Sequence, residues 1–120
     1  MTNKRVTIAI ESQDDFEAQT LEIVRALDRG EAVEPQVHLS FPDMTTLFAV
    51  VTPKRFDLLS TLRRIGPSSV RALAVAVGRD YKAVHTDVAA LIEHDLIERQ
   101  AKDRVAVQWD HVHADMRLAA

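Results

Sequence analysis

Between Arg79 and Thr86 the chain reads RDYKAVHT, and four of its side chains, Arg79, Lys82, His85 and Thr86, are of types that hydrogen-bond the edges of DNA bases. A guanidinium forks onto guanine or phosphate, an ammonium is a point charge, and imidazole and hydroxyl groups donate or accept. Their spacing matters as much as their chemistry. On a helix that turns Val84 and Val88 into a core, Lys82, His85 and Thr86 face outward, with Arg79 just ahead of the first turn. At a single position either cation is more simply an ordinary surface charge; gathered in one constellation they favour a nucleic-acid contact. Ser68, Ser69 and Arg71 open the preceding helix, where backbone amides and a guanidinium suit a phosphate, although Ser68 serves equally as a plain cap. Tyr81 either reaches a phosphate through its hydroxyl or covers the edge of the core. Asp80, which would repel phosphate if free, reads as a helix cap. Further along, Arg99, Lys102 and Arg104 flank a polar turn, opposed by Asp103, and suit position-setting contacts to a backbone or an adjacent minor groove.

Other chemistries find less support. His111 and His113, with Asp115 on the same face of a strand, have a spacing that metal ligation permits, but paired histidines on an exposed strand are usually solvated, and no metal site is expected. His38 and His94 read as surface or turn residues. The chain has no cysteine, which removes disulfides, thiolate metal sites and thiol nucleophiles. There is no glycine-rich phosphate loop, nucleophile elbow or HExxH motif, so neither catalytic residues nor a cofactor are expected.

The elements that must hold these residues can be read from periodicity and punctuation. Phe56, Leu59, Leu62 and Ile65 share one helical face, Val70, Leu73, Ala74 and Val77 a second, and Val84, Val88, Leu91 and Ile92 a third. Three such stripes need one common core. Pro53 suits a first helical position behind a Thr52 cap, Ser68 and Asp80 suit the caps of the next two helices, and Gly66 and Gly78 suit left-handed helix stops. After them, Leu96 to Arg99 and Arg104 to Trp109 form a hairpin around AKD, with Val105, Val107 and Trp109 on one face. Upstream, Val6, Ile8 and Ile10 alternate as a strand from Lys4 to Ile10. A helix from about Asp14 to Arg29 carries Phe16, Leu21, Ile23, Val24 and Leu27 and stops at Gly30. A connector, EAVEP, leads to a second strand over Val37, Leu39 and Phe41, and Pro42 with Asp43 opens a short helix to about Val50. The run HVHADMRL alternates Val112, Ala114, Met116 and Leu118 as a last strand, or else a helix. As a strand its natural partner is the N-terminal strand pair, within the chain or across a dimer.

The segment GPSSVRALAVAVGRDYKAVHTDVAALIEHDLIER resembles the small winged-helix transcriptional regulators of bacteria and archaea, broadly MarR-like. The resemblance is densest from Thr52 to Arg99, in the TPKR opening and the RDYKAVHTDV run. It implies operator binding, often as dimers, and some relatives look like the DNA-binding partner of a toxin. The chain departs from the pattern at Asp95, where such regulators usually carry glycine; aspartate tolerates the left-handed conformation better than most residues.

Together these readings give an α+β chain of 120 residues: a winged helix-turn-helix over 52–110, an N-terminal strand-helix-strand-helix extension over 1–51, and a C-terminal strand over 111–120. The net charge of −3 is unevenly spread. Residues 1–52 carry four Lys/Arg against nine Asp/Glu, whereas residues 53–104 carry ten against seven. The basic centre suits double-stranded DNA. The acidic first half, with Asp14, Asp15, Glu17 and Glu22, suits a homodimer face or a basic, toxin-like protein partner. The main rival to DNA binding is a winged-helix module that contacts protein alone. No apolar run is long enough to span a bilayer and no secretion signal is visible, so a cytoplasmic protein is expected.

Overall fold

A computed structural model of the chain describes residues 4–10, 13–31 and 37–115. The chain is α+β, with five helices and two three-stranded sheets among the described residues. It divides into two compact units, one of Met1–Lys4 with Phe48–His111, the other of Arg5–Leu47 with Val112–Ala120.

In the second of these, β1 (Arg5–Ile10) pairs in parallel with β2 (Val37–Phe41), from Val6 opposite Val37 to Ile10 opposite Phe41. Parallel neighbours need a long crossover, and α1 (Gln13–Asp28) lies between them in the chain. Gly30, at φ 77°, follows the helix. β6 (His111–Asp115) lies on the other side of β1, giving the order β2-β1-β6. Over its described residues, His111–Asp115, the last run is therefore a strand rather than a helix, and its neighbour is β1 of the same chain. Neighbouring residues of a strand point to opposite faces, so burial of both Ile8 and Ala9 marks β1 as covered on each side. On α1 the apolar residues Leu21, Ile23, Val24 and Leu27 are open, Leu27 to 57%. The side chains of Asp14, Asp15 and Phe16, the connector after Glu31, and Met116 and Leu118 lie outside the described residues.

The first unit contains α2's last turn, from a helix spanning Met44–Val50, then α3 (Pro53–Ile65), α4 (Val70–Val77) and α5 (Tyr81–Glu93). The three longer helices pack pairwise. Their core is Leu58, Leu59 and Leu62 of α3, Leu73 and Ala74 of α4, and Val84, Val88 and Leu91 of α5, joined by Leu96. Each such leucine or valine contributes on the order of 1.5–3 kcal/mol by leaving water. The buried face of α3 differs from the expected one, because Phe56 is 52% and Ile65 42% exposed while Leu58 and Thr61 are buried. A spacing of three fits several faces of one helix, and neighbouring helices decide which is covered.

Capping follows the sequence with two corrections. Thr52 accepts the Arg55 amide at 3.2 Å ahead of Pro53, and Asp80 accepts that of Ala83 at 3.2 Å. The cap of α4, however, is Ser69, which accepts the Ala72 amide at 3.0 Å. Ser68 instead belongs to a short strand β3 (Ser68–Ser69), and its hydroxyl donates to the Gly66 carbonyl at 2.8 Å. Gly66, at φ 83° and ψ −175°, has positive φ without being left-handed helical, a region that only glycine occupies freely. Gly78, at φ 67° and ψ 35°, is the left-handed stop expected. Asp95 is left-handed as well, at φ 62°, and the turn it makes lets the Leu96 amide reach back to Leu91 at 3.0 Å.

The remaining strands, β4 (Glu98–Gln100) and β5 (Arg104–Ala106), form an antiparallel hairpin, and β3 adds to the far side of β5 for the order β3-β5-β4. Its turn, residues 101–103, holds Lys102 at φ 64° and Asp103 at φ 57°. The strands are shorter than the expected Leu96–Arg99 and Arg104–Trp109, since β4 begins at Glu98 and β5 ends at Ala106; Val105, Ala106, Val107 and Trp109 are all buried, and the Trp109 indole Nε1 donates to the Asp95 carbonyl at 3.4 Å. Beside this sheet, Asp110 takes the Lys4 amide on Oδ2 at 2.9 Å and the Arg63 guanidinium on Oδ1, while the Lys4 carbonyl accepts the Asp110 amide at 2.8 Å. These hydrogen bonds hold the Asp110 carboxyl below the usual carboxylate range, that of the Lys4 amide first and that of Arg63 second.

Candidate functional site

The start of α4, the outer face of α5 and the β4–β5 hairpin enclose a half-open groove of about 470 Å³. Arg71, Arg99 and Arg104 line it together with Tyr81 and His85, over a floor that includes Val88 and Val105. The groove follows from the local folding already described. Ser69 stops β3 and starts α4, which carries Arg71 to one wall; the αL turn at Gly78 precedes α5, which carries Tyr81 and His85; the hairpin, in which Arg99 lies opposite Val105 and Arg104 opposite Gln100, supplies the remaining lining.

Tyr81 is a platform rather than a core cover. Its ring is exposed, the Arg71 guanidinium lies 4.7 Å above its centroid, and the His85 ring follows at 5.9 Å with a 46° tilt. A cation over an aromatic face gains roughly 0.5–1 kcal/mol at an exposed site, enough to bias the direction of Arg71. The stack leaves guanidinium edge N–H groups available to an anion. Lys82, His85 and Thr86 are exposed on α5, as helical geometry requires. The Thr86 hydroxyl donates to the Lys82 carbonyl at 3.1 Å, so its donor is engaged by the helix itself. Among the described residues, no ion pair involves Arg71, Lys82, Arg99, Lys102 or Arg104, although Asp103 lines the groove beside Arg104.

Arg79 is placed differently. Its Nη2 donates to Asp87 Oδ2 at 2.8 Å, and its Nη1 is buried without a hydrogen-bond partner among the described residues. The other Asp87 oxygen takes Arg55 Nε at 3.1 Å, and Arg55 Nη1 also donates to the carbonyls of Ala49 at 3.2 Å and Val50 at 3.0 Å. Burial pushes the Asp87 carboxyl up, but the hydrogen bonds and charges of Arg79 and Arg55 outweigh it, so the group is held below the ordinary carboxylate range. The sequence places Arg79 among the candidate contacts to guanine or phosphate and gives no role to Asp87 or Arg55. One signal was present: Asp87 is one turn from both Val84 and Leu91, at the border of the apolar stripe, where a carboxylate without a partner is costly. Among the described residues no cluster of three metal-ligating side chains forms, and no helix is long and apolar enough to cross a membrane.

The chain belongs to the HVO_A0114 family, which matches residues 50–114, a span that takes in α3 to α5, the groove and the hairpin. The family's name carries no activity. No curated protein and no solved structure matches the chain.

Proposed function

We propose that the chain is a cytoplasmic DNA-binding transcriptional regulator, not an enzyme, built as a winged helix-turn-helix. In this reading α4 and α5 are the helix-turn-helix pair, α5 enters the major groove with Lys82 and His85 toward base edges, and the β4–β5 hairpin is the wing. The element order α3-β3-α4-α5-β4-β5 and the strand order β3-β5-β4 support it. The observation that carries it is selective pairing of charge. Arg55, Arg63 and Arg79 are ion-paired, the first and last sharing Asp87 and the other on Asp110, whereas Arg71, Arg99 and Arg104 surround one groove without ion pairs among the described residues. Cations left unpaired by their own chain and gathered on one face are what a phosphate backbone attracts.

The test is selection from a random duplex pool, followed by titration of the selected site across a series of salt concentrations. Counterion release makes affinity fall steeply with salt, with a slope of about −0.9 per neutralised phosphate. A salt-independent interaction, or no enrichment of any sequence, rejects the reading.

One observation favours an additional protein contact. Leu21, Ile23, Val24 and Leu27 of α1 are exposed among the described residues, and an exposed patch of several aliphatic side chains marks an interaction surface. A homodimer through this half would pair two short DNA-reading helices across a two-fold site. A basic, toxin-like partner is the alternative occupant, favoured by the carboxylates of Glu17 and Glu22 on the same helix.

A further inference from the structure

Among the described residues, a connected polar cluster of Arg55, Arg79 and Asp87 stands apart from the residues that line the groove. Asp87 stands in α5 one residue after Thr86 and one before the core residue Val88, and each of its oxygens is held by a different arginine, at 3.1 Å by Arg55 and 2.8 Å by Arg79. All three side chains are largely withdrawn from water, with exposures of 16% for Asp87, 17% for Arg55 and 23% for Arg79. As a device for stability alone this is a poor choice, since packed apolar side chains of the same volume stabilise as well or better than partly buried ions. What charged, forked contacts add is direction, because a guanidinium and a carboxylate hold each other only in a narrow set of geometries.

We propose that Asp87 is a positioning residue for the DNA-reading end of α5, holding it between Arg79 at the entry of the helix and Arg55, which ties it to the C-terminal carbonyls of α2. The inference rests on the DNA reading above. Arg79 precedes the first turn of α5, so its bond to Asp87 closes the loop at Gly78 to Asp80 back onto the helix it introduces. Arg55 is the longer link. Its Nη1 takes the carbonyls of Ala49 and Val50, groups that the end of α2 leaves without helical partners, while its Nε takes Asp87. One guanidinium therefore references the rotation of α5 about its own axis to the end of α2, and with it the direction in which Lys82 and His85 leave the surface. The same pairing removes an electrostatic problem: an unneutralised carboxylate one residue from Thr86 would repel phosphate, whereas the trio carries a net positive charge.

Two readouts test this on the full chain, one without DNA and one with it. Asp87→Asn keeps the shape and removes the charge. Hydrogen exchange of amides 83–86 is expected to accelerate about tenfold more than that of amides 58–62 of α3, which report the global loss of stability. On DNA, the ratio of specific to non-specific affinity is expected to fall about tenfold while the salt slope stays as in the native chain. Arg79→Gln should likewise leave the salt slope unchanged, and Lys82→Ala should reduce it if Lys82 holds a phosphate. Should Asp87→Asn fail to fold, Arg55→Lys, which keeps the charge and loses the fork, is expected to give the same loss of specificity. Native relative exchange of the two sets of amides in folded Asp87→Asn, an equal loss of specific and non-specific binding, or a salt slope reduced by about one in Arg79→Gln each overturns the proposal. If the native chain binds no duplex, the DNA reading fails separately, and the exchange measurement alone decides whether Asp87 holds α5.

Discussion

Arg79 and Lys82 stand three positions apart, yet their surroundings give them different parts. Lys82 is exposed and makes no ion pair among the described residues, so Lys82→Ala is expected to leave stability within about 0.5 kcal/mol. Binding to a selected duplex should weaken by about 1–3 kcal/mol if Lys82 reads a base, and less and evenly across sequences if it holds a phosphate; titration of matched and scrambled duplexes separates the two. Asp87 governs a different property. Its folded pKa is depressed, so the stabilisation it gives is complete above the unfolded value of about 3.9 and is lost as pH falls through the folded one. Near neutral pH, Asp87→Asn should cost about 1–3 kcal/mol in a denaturant titration, and the acid limb of the stability curve should become shallower. It should not become flat, because Asp43 and Asp110 are depressed too, Asp43 first by the Thr46 amide and Asp110 first by the Lys4 amide. An acid limb unchanged by Asp87→Asn would mean that the two arginines find other acceptors.

At the scale of elements, much was legible because local rules coincide. Thr52 with Pro53, Asp80, Gly78 and the AKD turn each mark a boundary by a requirement on backbone geometry that few residue types meet. The misreadings came where two neighbours met the same requirement. Ser68 and Ser69 both suit a cap, and pairing of Ser68 with Val105, thirty-seven positions away, decides between them. Phe56 and Ile65 fit a helical period as well as Leu58 does, and only the packing of α4 and α5 on α3 selects the buried face. Two substitutions check the caps and turns. Ser69→Ala should cost about 1 kcal/mol in thermal or chemical unfolding, and Ser68→Ala less, since Ser68 caps no helix. Asp95→Gly should raise stability by about 0.5–1 kcal/mol, because glycine takes the left-handed turn at φ 62° without the Cβ clash and the Trp109 bond is to a backbone carbonyl that remains. Lower stability in Asp95→Gly would show that its side chain has a role beyond tolerating the turn.

For the whole molecule, periodicity and punctuation point to an α+β chain and charge asymmetry to a basic centre, and the groove lined by Arg71, Arg99 and Arg104 lies there. What sequence could not supply was the pairing of Arg55, Arg79 and Asp87, since contacts between residues 55 and 87 leave no local period. Nor could it show that the α1 stripe stays open. If that stripe is a dimer face, Ile23→Lys with Leu27→Lys should convert a dimer to a monomer by light scattering at micromolar concentration, with the far-ultraviolet spectrum retained. A native chain that is monomeric with and without DNA leaves α1 to a different protein.

The neighbourhood of β1 and β6 bears on synthesis. The central strand of the β2-β1-β6 sheet is made near the start of the chain, and its outer neighbour near residue 115, with the Lys4 amide meeting Asp110 across 106 positions. During translation at about 5–20 residues per second, β1 and β2 therefore emerge some seconds before β6 exists. For that interval one edge of β1 is an open template, the kind of edge that pairs with another nascent chain. The intervening helices, whose core is local in sequence, have time to fold first. On a messenger carrying many ribosomes, the vulnerable species is then a chain that has made β1 and β2 but lacks β6 beside them.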